Sequence, residues 1–141
     1  MDNRIEIDNF EDRVRAKLGV AEPYLSDEDI NFPDIRGVAE LNITSLFPDF
    51  EDFEGDDLVY LGSILVLESC ILLSPSMSAR LPKKELGPHA RHELWINWDR
   101  KKEEYINERD NLMGRLDDLL NPDLDMASFK SFGVTYPRRG W

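Results

Sequence analysis

The chain has 141 residues, 33% of them charged, and a formal net charge of −12; that length suits one domain with an ordinary core that needs neither disulfides nor a metal. The excess acid lies wholly in residues 1–70, with 18 acids against 5 bases, whereas residues 71–141 hold 11 against 12, and a surface of that sign repels nucleic-acid phosphates and excludes a general DNA-binding patch. One cysteine, Cys70, excludes an intrachain disulfide and fits a reducing compartment.

In chain order, residues 1–8 read as a loose terminus; Met-Asp-Asn-Arg-Ile-Glu is charged and lacks the apolar stretch of a signal peptide, so an intracellular protein is expected. Asn9 is placed to cap a short helix with Phe10, Val14 and Leu18 on one face, stopped by Gly19. Ser26, followed by Asp27, Glu28 and Asp29, reads as a helix start with acids in the first turn. Pro33 interrupts that helix or opens the next, in which Ile35, Val38, Ala39, Asn42, Ile43 and Leu46 follow helical spacing up to Pro48. Residues 49–57, Asp-Phe-Glu-Asp-Phe-Glu-Gly-Asp-Asp, form an acidic loop before a helix. From Leu58 to Leu73 the residues are apolar except Gly62, Ser63, Glu68 and Ser69. The apolar surface runs nearly all round, which predicts a central helix packed on several sides. No run is expected to reach membrane-spanning length.

Pro75, Pro82, Gly87 and Pro88 argue against regular helix over 74–94, leaving a long loop. A short β-hairpin pairing Ser76–Leu81 with Arg91–Ile96 is the alternative. A long helix follows at about 95–120, with Trp98, Tyr105, Leu112 and Leu119 recurring every seventh residue, and Asn121-Pro122 ends it. Residues 123–141 then form an extended tail. The fold class is mainly α: a small helical bundle around an apolar central helix at about 56–73 and the long helix, with domain 1–122 and tail 123–141.

Residue types that could carry chemistry are few. Glu68 inside the apolar run reads as a buried acid paired with an Arg or facing a partner subunit. Cys70 has only apolar neighbours and none of the features that activate a thiol. His89 and His92 stand three apart, short of the three or four ligands a zinc site needs. The acidic loop fails the calcium-loop spacing in both frames, since Phe53 or Asp57 falls where a ligand or glycine is required. No phosphate-binding glycine loop and no nucleophile–base–acid set is visible, so neither catalytic residues nor a cofactor is expected. Two segments stand out instead. The loop carries the bases Arg80, Lys83, Lys84 and Arg91, suited to an acidic face or DNA or merely to solvent. The tail carries Phe129, Phe132, Tyr136, Arg138, Arg139 and Trp141, which either dock back on their own domain or anchor a partner.

The layout of short helices, an apolar helix running into Cys-Ile-Leu-Leu-Ser-Pro-Ser-Met-Ser-Ala-Arg-Leu-Pro-Lys-Lys-Glu at 70–85, Trp95 and Trp98 leading a long charged helix, and a final extended tail resembles the head–tail connector (adaptor) proteins of long-tailed bacteriophages. The likeness covers roughly residues 10–120 and rests on layout and on the Leu-Leu-Ser-Pro-Ser-Met-Ser-Ala-Arg-Leu-Pro stretch. It implies a homo-oligomeric ring, usually of twelve subunits, in the virion neck. Such a ring is assembled in the host cytoplasm and docks under the portal protein. It extends the channel for double-stranded DNA towards a stopper or tail-completion protein, without sequence-specific binding, catalysis or a membrane. By the same resemblance, the 74–94 loop would face the channel or the next ring and the tail would reach into the portal. The competing readings are an acidic helical regulatory or chaperone-like binding module, and a metal-dependent enzyme using His89 and His92.

Overall fold

A computed structural model describes residues 5–81 and 96–121. Six helices are labelled in order: α1 (Phe10–Leu18), α2 (Asp27–Ile30), α3 (Val38–Leu46), α4 (Asp56–Leu73), α5 (Met77–Arg80) and α6 (Trp98–Leu120). Helical turns join several of them, at Glu22–Tyr24, Pro33–Gly37, Phe50–Asp52 and Ser74–Ser76. Among the described residues the fold is helical throughout and without strands.

The central helix is α4. Eleven of its residues are buried, including Leu61, Ile64, Leu65, Val66, Leu67, Cys70, Ile71 and Leu73, and they point in every direction around the axis. α6, α1 and α3 each pack along it. Gly55 takes φ 62° just before the helix, a conformation that only glycine adopts without strain. Asp56 and Asp57 then fill the first turn, where they complement the helix dipole.

On α1, Phe10, Val14 and Leu18 are buried at the predicted i, i+4, i+8 spacing. Gly19 ends it at φ 75°, with its N–H bonded to the Arg15 carbonyl at 2.7 Å. Asn9 does stand at the N-terminal boundary but in a left-handed conformation, and its side chain makes no capping bond. Ser26 does cap α2, its Oγ accepting from the Asp29 N–H at 3.2 Å. Pro33 opens the Pro33–Gly37 turn, whose last residue passes directly into α3.

Three expectations need correction. The stretch 74–80 is helical, so neither an irregular loop nor the first arm of a hairpin begins at Ser76. Pro75 sits in the first turn of the Ser74–Ser76 helix, where its fixed φ suits the start of a new helical turn. Second, α4 with the turns continuing it spans Asp56–Arg80, 25 residues, long and apolar enough to cross a membrane by length and composition. Within the fold, 67% of its most apolar window is buried, so the chain itself covers this helix. Third, α6 starts at Trp98 rather than near 95, capped by the Asn97 side chain, which accepts from the Arg100 N–H at 3.1 Å. Residues 82–94 of the loop, and the second hairpin arm through Trp95, lie outside the described residues.

The seam on α6 also departs from a strict heptad. Trp98, Tyr105 and Leu116 are its buried residues, whereas Leu119 is 45% exposed. A straight helix drifts about 20° per heptad, so by the third repeat Leu119 has swung outward. Leu116 lies five full turns from Trp98 and therefore shares its line on the helix.

A buried polar clasp fixes the start of the described chain. Glu40 Oε2 accepts from the Ile5 N–H at 3.0 Å, and Arg36 Nη2 donates to the Ile5 carbonyl at 2.6 Å. Arg36 and Glu40 pair at 3.4 Å with side chains only 5% exposed, and the guanidinium lies 4.2 Å from the Phe10 ring centroid. Removing one member of such a pair strands the other in low dielectric. Glu40→Ala is therefore expected to lower unfolding free energy by about 3–5 kcal/mol, measured by urea denaturation. A loss below 1 kcal/mol, about the worth of an exposed pair, would show that the clasp is not what holds the N-terminal segment.

Candidate functional site

Of the loop and tail residues expected to carry function, Arg80 is the one on the described body. It closes α5 against α2: Nη1 meets Asp29 Oδ2 at 2.8 Å and Nε donates to Ser76 Oγ at 2.9 Å. Its charge is thus used within the fold. Lys83, Lys84 and Arg91 of the loop, His89 and His92, and the tail residues Phe129, Phe132, Tyr136, Arg138, Arg139 and Trp141 lie outside the described residues.

Glu68 is 4% exposed on α4 and is paired from two sides. Arg109 Nη1 of α6 donates to its Oε1 at 2.8 Å, and Asn42 Nδ2 of α3 donates to its Oε2 at 2.8 Å. Burial alone would lower the Arg109 pKa, but the hydrogen bond and charge of Glu68, aided by Asp110, raise it on balance. The carboxylate therefore joins three helices instead of presenting itself to a substrate. Cys70 is fully buried, with Sγ 3.9 Å from the Val14 carbonyl oxygen, and burial pushes its thiol up to about 12. Tyr105 is held in the same way: its hydroxyl donates to the Lys17 carbonyl at 3.0 Å, and burial raises its pKa to about 12. Among the described residues no group of three or more His, Cys, Asp or Glu side chains is placed to hold a metal ion.

Two surface features can receive something. The first is a groove of about 510 Å³ between α1 and α6, floored by Val66 and Leu67 of α4. Ala16 and Leu112 add apolar walls, and Arg13, Ser63, Lys17 and Glu108 supply polar ones. The Lys17–Glu108 ion pair, 2.7 Å, bridges the two helices, and Arg13 Nη2 donates to Ser63 Oγ at 3.3 Å. The second is one end of the bundle, where α4 begins and α6 ends. Glu68 faces Arg109, Cys70 lies by Lys101 and Tyr105, and Ser63 and Val66 share the groove with Leu112, so the two helices run antiparallel. Ten residues from that tie, Leu58 and Leu119 stand at the same height, about 15 Å along each axis. Leu58 is 46% exposed, Val59 66% and Leu119 45%. The segment leading into α4, residues 49–57, carries the acids Asp49, Glu51, Asp52, Glu54, Asp56 and Asp57.

Sequence reasoning placed Leu58, Val59 and Leu119 inside. A signal against burial of Leu58 and Val59 was the acidic stretch 49–57 that runs directly into them. Compared with family models, curated proteins and solved structures, the chain matches none.

The thiolate is the reactive form of a cysteine, and at pH 8 a thiol with its pKa near 12 is ionised in about one molecule in ten thousand. Native Cys70 is expected to resist iodoacetamide at pH 8 and to react fully once guanidinium unfolds the chain, as read by intact mass. Rapid native alkylation would show that the thiol is reachable and activated.

Proposed function

We propose that the protein is a structural virion component, a ring-forming head–tail connector that docks under a portal and extends the DNA channel towards the stopper and tail. The single observation that carries the reading is the layout: short helices, then an all-round apolar helix entering Leu-Leu-Ser-Pro-Ser-Met-Ser-Ala-Arg-Leu-Pro, then a long helix followed by a tail rich in aromatics and arginine. The fold is compatible with it. Ion pairs and a shared core tie the described residues 5–81 and 96–121 into one helical body.

Charge supports the same assignment. An acidic first half against a near-neutral second half suits head-to-tail packing of identical subunits. A conduit of net negative charge repels passing DNA instead of gripping it. With Arg80 engaged by Asp29, the loop bases left for the channel or the next ring are Lys83, Lys84 and Arg91. The tail residues Phe129, Phe132, Tyr136, Arg138, Arg139 and Trp141 are the portal anchors in this scheme.

The groove between α1 and α6 favours a second reading, an acidic helical binding module without catalysis. Such a module offers a preformed site and stays monomeric or dimeric when mixed with portal. Light scattering of the protein with and without portal separates the two.

Deleting residues 128–141 is expected to leave the helical circular dichroism and melting cooperativity intact while abolishing portal binding. Electron microscopy of virions should show a ring below the portal built from this chain. Its absence from purified virions would sink the connector reading.

A further inference from the structure

We infer that the groove between α1 and α6 binds a small amphiphilic carboxylic acid, with its carboxylate on Arg13 and Ser63 and its apolar part along Val66, Leu67 and Leu112. The groove measures about 510 Å³, within the range of small-molecule sites, roughly 300–1,000 Å³. Such sites combine an apolar lining with a few placed polar groups. The same division holds here: Ala16, Val66, Leu67 and Leu112 supply hydrocarbon, and Arg13, Lys17, Ser63 and Glu108 supply the polar groups.

The two cations of the groove are not equivalent. Lys17 already has an acid, Glu108, at 2.7 Å. Arg13 has none among the described residues. Its Nη2 donates to the neutral Ser63 hydroxyl at 3.3 Å, a long hydrogen bond. Its guanidinium lies over Gly62 of α4, where an added Cβ would come 3.6 Å from Nη1. Arginine presents its N–H donors as a planar fork that matches both oxygens of a carboxylate. Ser63 Oγ accepts from Arg13 and keeps its own proton to donate. A carboxylate therefore finds charge and directed donors at this position, and no acid of the described chain takes them.

The Lys17–Glu108 pair sets the orientation. Arg13 and Lys17 stand four residues apart on α1, about 6 Å along the axis. Glu108 neutralises Lys17 and repels a second carboxylate there. The acid group is thus directed to Arg13, and the hydrocarbon runs along the floor towards the ion pair. The inference names a ligand class for the groove and does not depend on the connector reading, because its test is made without portal.

Octanoate is the probe, titrated into the full chain and followed by methyl resonances. The methyls of Val66, Leu67 and Leu112 are expected to shift and saturate at millimolar concentration, while those of Leu73 and Met77 stay in place. Octylammonium and acetate each carry only one part of the required chemistry and should bind about tenfold more weakly or worse. Arg13→Gln should weaken octanoate by about tenfold or more. Glu108→Gln, which frees Lys17 for the ligand, should tighten it. Unchanged Ile64 and Leu65 methyl shifts check that each variant is folded. No shift at the groove methyls, equal binding of octylammonium, or an Arg13→Gln chain that binds octanoate as well as the unaltered one would overturn the proposal. So would shifts centred on the exposed Leu41 and Leu46 of α3, because the probe would then be meeting exposed hydrocarbon wherever it occurs.

Discussion

A helix that is apolar on every side has no face to give to water, and α4 imposes that condition on the whole chain. It is satisfied only if other elements surround it, and α1, α3 and α6 do so. Each polar group carried into that environment must then find a partner from a neighbouring helix. Glu68 receives Arg109 and Asn42, and Ser63 receives Arg13. Ser69 Oγ is the buried side-chain atom left without a hydrogen bond among the described residues. The same contacts that satisfy α4 therefore fix the angle and height of its neighbours.

The negative charge of the first half is less diffuse than its total suggests. In the α1–α3 region many acids are matched locally: Asp12 and Asp27 by Arg15, Glu40 by Arg36, Glu11 by Asn31 and Asp29 by Arg80. Arg15 does this from a nearly buried position while its Nε donates to the Leu25 carbonyl at 2.8 Å. Residues 49–57 have six acids and no base, so the net excess is concentrated at the end where α4 starts. The groove between α1 and α6 is electrically mixed by comparison, with Arg13, Lys17 and Glu108 on its rim. Charge thus separates two surfaces of different character on one small body.

Much of this fold was legible from local pattern. The apolar run of α4, the i, i+4, i+8 face of α1, the Ser26 cap and the Gly19 stop each depend on residues within a turn or two, and each occurs as spacing requires. What escaped depends on context. Pro75 and Pro82 looked like breakers of everything from Ser74 onward, yet Pro75 occupies a first-turn position where helices tolerate it. The heptad through Leu119 looked like one buried line, yet only packing shows where a 3.6-residue spiral leaves it. Glu68, for which an arginine and a partner subunit were both open, pairs with an arginine 41 residues away, and the clasp on Ile5 spans 31 and 35 residues; no local rule selects them. Of the residues expected to carry function, composition drew attention to the right kind of chemistry, but only Arg80 falls on the described body, and there it serves as a brace.

The central helix is also central in the sequence, and this bears on how the chain assembles. α3 and α4 are neighbours along the chain and can pair early, with Asn42 and Glu68 only 26 residues apart. The two remaining walls must arrive from opposite directions, α1 across 50 residues to Ser63 and α6 across 41 to Glu68. Because loop-closure entropy grows only with the logarithm of length, these two arrivals differ in cost by about 0.2 kcal/mol. Chain entropy therefore sets no order between the two walls.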